Sequence, residues 1–82
     1  MSLMKVKKTI EQEFEDLGAK IKAAREADGR SLTQICASSG MTAANWYRIE
    51  GEEVKSLPLE TLRKIELVLG VDLGVYFETN ND

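Results

Sequence analysis

The sequence predicts an all-α fold, a compact five-helix domain preceded by an N-terminal helical extension. Three observations predict it. Apolar residues at 6, 10, 14, 17, 21 and 24 recur at spacings of three and four, which sets them on one stripe of a helix. Glycines at 29, 40, 51 and 70 divide the rest of the chain into short segments, most of which carry a helical stripe of their own. No strand-type alternation runs over a useful length, and there are no internal repeats.

Each element has a local reason. Residues 5–27, KVKKTIEQEFEDLGAKIKAAREA, carry the long stripe, and Gly18 is a soft spot that costs about 1 kcal/mol relative to alanine. The segment therefore reads as one helix or as two meeting near Gly18. DGRS breaks the pattern, since Gly29 suits a helix C-terminus and Ser31 an N-cap. LTQICASS follows as a short helix burying Leu32, Ile35 and Cys36, and Gly40 ends it. Thr42 caps AANWYRIE, where Trp46 and Ile49 share a face with Met41 just before. GEEVKSL reads as a loop. Pro58 then opens PLETLRKIELVL, whose Leu62, Ile65, Leu69 and part of Val68 form a buried stripe closed by Gly70. VDLGVYF predicts a last short helix capped by Asp72, and ETNND a polar tail that frays. The organisation expected is an extension over 1–16, a helix-turn-helix domain over 17–77 and a tail over 78–82, with residues 1–3 a leader ahead of a natural start at Met4.

Composition excludes several classes. With 82 residues there is room for one small core. No apolar run approaches the roughly 20 residues that span a bilayer, and no signal-peptide pattern opens the chain, so a cytoplasmic protein without membrane contact is expected. Cys36 stands alone and histidine is absent, which leaves no internal disulfide, no metal-ligand spacing and no imidazole base. Without paired carboxylates or a phosphate-cradling glycine loop, no catalytic residue, metal or cofactor is expected, and the chain does not read as an enzyme. The net charge of −3 is unevenly spread: residues 17–57 carry six basic and five acidic groups, while 58–82 carry two and five. Charge thus argues against tight nonspecific nucleic-acid binding and leaves specific binding open.

Four pieces stand in a telling order. They are LGAKIKAAREADG, SLTQICASSGMT, AANWYRIE and LPLETLRKIELVLGVDL, with apolar Ile35, small Cys36 and, five residues after Ile35, the turn glycine Gly40. From Leu17 to about Leu73 the chain resembles the Xre/Cro-type, lambda-repressor-like family of helix-turn-helix DNA-binding domains. The resemblance implies that AANWYRIE is the recognition helix. It also implies a structural salt bridge between Arg25, late in the first helix, and Glu50, which ends the recognition helix. The chain departs from the family pattern in three places. Gly51 follows Glu50 directly, the connection to the fourth helix is longer and carries Glu52 and Glu53, and Leu32 stands where many members have glutamine, with Thr33 and Gln34 just after.

In a helix-turn-helix the start of the second helix enters the major groove, and its cap and free N–H groups meet phosphate. The outward, base-reading positions are then Ala43, Ala44, Tyr47 and Arg48. Alanine offers only a methyl contact to thymine, whereas Arg48 can hold guanine with two hydrogen bonds, worth roughly 1–3 kcal/mol of discrimination. Arg30, Thr33, Thr42, Asn45, Lys55 and Ser56 are the candidate phosphate contacts. Trp46 belongs to the core by its spacing, and Cys36 is a small residue at a helix crossing. Val6, Ile10 and Phe14 exceed what a five-helix core requires and are candidate dimer contacts, as are Tyr76 and Phe77; folding of both rings onto their own core is the competing expectation. Lys5, Lys7 and Lys8 form either a basic arm on DNA or the solvated side of a helix.

The leading expectation is a sequence-specific double-stranded DNA-binding regulator, repressor-like, acting as a homodimer on a two-fold operator. The alternative keeps the motif but turns it to protein, as an antitoxin-like or adaptor module whose alanine and tyrosine surface and acidic loop meet a protein partner. A third option is a regulator that binds DNA only with a further domain.

Overall fold

The computed structural model describes residues 3–7 and 11–77. Its elements are β1 (Leu3–Lys7), β2 (Glu11–Glu15), α1 (Leu17–Asp28), α2 (Leu32–Ser39), α3 (Ala43–Glu50), β3 (Leu57–Pro58) and α4 (Leu59–Leu69). The described residues form a small α/β domain of four helices and a three-stranded mixed sheet, ordered β2-β1-β3. This corrects the all-α, five-helix expectation at both ends of the chain.

At the N-terminus the helical extension is a β-hairpin. β1 and β2 run antiparallel with Met4 opposite Phe14, Val6 opposite Gln12, Lys5 opposite Glu13 and Lys7 opposite Glu11. The four-residue spacing of positions 6, 10 and 14 matches a helical stripe, but LMKVK and EQEFE also alternate with a period of two. Met4 and Val6 are buried while Leu3, Lys5 and Lys7 are exposed. Lys5 stands opposite Glu13 in this register, and opposite charges across a strand pair favour it. Ile10 lies outside the described residues. β3 adds in parallel to β1, pairing Val6 with Leu57 and Lys7 with Pro58, so part of the expected loop is strand.

At the C-terminus the expected fifth helix is absent from Val71 to Phe77. Gly74 has a φ of 75°, outside the helical region, and Leu73 and Val75 are buried between exposed neighbours, again a period of two. Asp72 does not cap a helix. Its carboxylate accepts the Gly74 N–H at 2.8 Å and the Tyr76 hydroxyl. Arg63 Nη2 gives a 2.8 Å hydrogen bond to the Val75 carbonyl, and the Leu73 N–H reaches Glu66 at 2.8 Å, so side chains of α4 hold this segment down.

The helices follow their local signals. Ser31 caps α2 in a full capping box with Gln34, and Thr42 caps α3. One core joins every layer: Met4 and Val6 from β1, Ile21 from α1, Ile35 from α2, Trp46 and Ile49 from α3, Leu57 from β3, and Leu62 and Ile65 from α4. The sheet packs on α1 and α4, while α3 packs on α1 and α2. Gly18 sits where α1 meets the end of α3. A Cβ there would stand 2.4 Å from the Glu50 carbonyl oxygen and 2.7 Å from Glu52 Cγ. The soft spot is a close approach, and α1 starts beside it at Leu17 without a break.

Candidate nucleic-acid interface

The site is built from the turn between α2 and α3. Gly40, with a φ of 73°, closes α2 by donating its N–H to the Cys36 carbonyl at 2.8 Å. Ser39, buried just before it, organises the turn. Its hydroxyl donates to the Cys36 carbonyl at 3.3 Å and accepts the Met41 N–H at 3.2 Å and the Trp46 Nε1–H at 3.3 Å. One donor and two acceptor positions are all used. Thr42 Oγ1 then accepts the Asn45 N–H at 3.1 Å, starting α3. Reading the sequence missed Ser39. The available signal was a small hydroxyl one residue before the turn glycine, seven residues ahead of the tryptophan.

Burial of Trp46 and Ile49 orients α3, with Met41 half-buried beside them. Ala43, Ala44, Tyr47 and Arg48 are exposed, and Asn45 is half-buried at the margin. Among the described residues the Arg48 side chain carries no ion pair or hydrogen bond, which leaves its guanidinium free for a ligand.

Arg25 fixes the far end of α3. Its Nε and Nη2 donate to the two carboxylate oxygens of Glu50, the second at 3.0 Å. Hydrogen bonding to Glu50 is the main cause that raises the Arg25 pKa, so this arginine stays charged. The guanidinium also lies over the Tyr47 ring, 5.9 Å from its centroid. A residue that faces the candidate ligand is thus positioned by the pair that ties α1 to α3.

The candidate phosphate contacts divide. Thr33, Thr42 and Lys55 are exposed. Arg30 is exposed too, but it holds Asp28 through two hydrogen bonds of 2.6 and 2.9 Å, and its Nη2 also reaches the Val68 carbonyl at 2.6 Å. That hydrogen bonding holds the Asp28 carboxyl below its ordinary pKa, so at neutral pH the arginine charge is locally compensated. Ser56 is half-buried, and its Oγ is buried without a hydrogen-bond partner among the described residues. Glu52 also differs from the loop reading. With a φ of 57° it turns back, and its Oε2 accepts the Gly18 N–H at 3.0 Å in the first turn of α1. Of the acidic pair, Glu53 alone is exposed.

The candidate dimer contacts are mostly committed inside the domain. Val6 is fully buried, and Phe14 meets Phe77 edge-to-face with ring centroids 5.8 Å apart, so these three side chains serve the chain's own packing. Tyr76 remains exposed. Leu3 and Leu67 are exposed apolar residues that sequence periodicity did not single out. No group of acidic, cysteine or histidine side chains fit to hold a metal ion occurs among the described residues, and none of their helices is long and apolar enough to cross a membrane. No family model, curated protein or solved structure matches this chain.

Proposed function

We propose that the protein binds double-stranded DNA sequence-specifically, as a repressor-like transcriptional regulator that reads the major groove with α3. The single observation carrying this reading is a capped helix, set by a buried turn, that presents Ala43, Ala44, Tyr47 and an unpaired Arg48 to solvent. Arg48 suits two hydrogen bonds to guanine, and the alanines suit thymine methyls. Thr42, Thr33, Lys55 and the N-termini of α2 and α3 suit phosphate. So few free cations give weak affinity for one copy, and a homodimer on a two-fold operator supplies the rest. Such a regulator acts in the cytoplasm.

Selection from random duplexes followed by a salt titration tests the reading. The expected outcome is an enriched palindrome whose affinity falls steeply as salt rises. No enrichment at low salt overturns it. Arg48→Ala is expected to relax preference at one base pair per half-site, by roughly 1–3 kcal/mol. A second reading, a protein-binding helix-turn-helix module with little DNA affinity, is favoured by the net charge of −3 and by the compensation of Arg30 by Asp28. The same selection separates the two.

A further inference from the structure

Arg30 is the cation of the turn between α1 and α2, and its guanidinium is already engaged. Nε and Nη2 donate to the two oxygens of Asp28 at 2.6 and 2.9 Å, and the Arg30 backbone N–H reaches Asp28 Oδ1 at 3.3 Å. Paired hydrogen bonds from two guanidinium nitrogens are also the arrangement with which an arginine holds a phosphate. Asp28 therefore occupies the edge of the guanidinium that a phosphate needs. Arg30 stands next to Ser31, the N-cap of α2, and Thr33 in the first turn of that helix is exposed. A helix N-terminus favours an anion, so this turn suits a phosphate while its adjacent cation is neutralised from within.

A second restraint on Arg30 matters as much. Nη2 also donates to the Val68 carbonyl at 2.6 Å, in the last turn of α4. That bond does not involve Asp28, so loss of the carboxylate leaves the guanidinium held in place with Nε and one Nη2 proton released. Hydrogen bonding to Arg30 keeps the Asp28 carboxyl below its ordinary pKa. Near neutral pH the carboxylate is thus ionised, and a competing anion rather than a proton displaces it.

We infer that Asp28 limits the affinity of this protein for DNA: it is an internal stand-in for phosphate, and a DNA phosphate binds Arg30 only by displacing it. The inference rests on the DNA reading and adds to it the residue that restrains binding. Displacing Asp28 exchanges one exposed ion pair for another, so the phosphate gains little. Without Asp28 it gains the whole contact.

The probe is a short duplex of mixed sequence, titrated into the whole protein at low and rising salt, since a phosphate contact carries no base preference. Asp28→Asn is expected to bind about two- to fivefold more tightly than the parent. Its log–log salt dependence is expected to steepen by about 0.9, the mark of one added phosphate contact. Asp28→Ala, which suits the end of a helix, repeats the measurement should the first variant fail to fold. The gain is expected to vanish when Arg30→Gln is added. Glu26→Gln removes an exposed negative charge without touching Arg30 and is expected to leave the salt slope unchanged. Equal or weaker binding by both Asp28 variants, a gain that survives loss of Arg30, or the same gain and slope from Glu26→Gln each overturn the inference. An operator enriched by the parent together with no effect at Asp28 defeats this inference alone. An Arg30-dependent gain without any enriched sequence supports it and defeats only the sequence-specific reading. No binding by any variant at low salt defeats both.

Discussion

Ser39 holds three groups through one oxygen, and the consequence is local and measurable. Replacing it with alanine leaves the indole N–H of Trp46 and the Met41 N–H without their partner inside the domain. An orphaned buried donor costs about 1–3 kcal/mol. Ser39→Ala is therefore expected to lower stability by that amount in chemical denaturation and to alter Trp46 fluorescence; stability within a few tenths of the parent defeats this account of the turn. Other residues show how a side chain's neighbours redirect it. Arg30 carries the charge a phosphate contact needs, yet it is engaged by Asp28 and the Val68 carbonyl. Glu52 carries the charge that repels phosphate, yet it is turned to the start of α1. Neither engagement follows from residue type alone.

Among elements, the junction of α1 with α3 decides how α3 is held. Arg25 and Glu50 bridge it, and Gly18 lets the two backbones approach. Alanine ordinarily favours a helix over glycine by about 1 kcal/mol. At position 18 the added Cβ meets the Glu50 carbonyl oxygen, which belongs to the backbone and cannot swing aside. Gly18→Ala is expected to destabilise the fold by about 1–3 kcal/mol, with the sign opposite to helix propensity. A rise in melting temperature contradicts the close packing. Helices α2, α3 and α4 were legible because their evidence is local: Ser31 and Thr42 as caps, Gly40 and Gly70 as stops, and apolar residues three and four apart. The hairpin was not. Positions 6, 10 and 14 satisfy a helical period while Met4 and Val6 satisfy a strand period, and a short segment does not choose between them.

For the whole molecule, the sheet joins the core that the helices share, so the N-terminal residues are part of one folding unit. Val6 is fully buried against residues from distant parts of the chain. Val6→Ala is expected to cost about 2 kcal/mol, independent of protein concentration. A loss that disappears at high concentration points instead to a contact between copies. Of the candidate site, the exposed face of α3 was legible, since burying Trp46 and Ile49 settles which residues face out. By itself the sequence determined helix α3, its Thr42 cap and its outward residues, because those depend on neighbours within one helical turn. Only the tertiary structure decided that the N-terminus is a hairpin, that Val71 to Phe77 form no helix, and that Arg30, Ser56 and Glu52 are buried or engaged. Those outcomes depend on partners far along the chain: Val6 pairs with Leu57, Arg30 reaches Val68, and Glu52 meets Gly18.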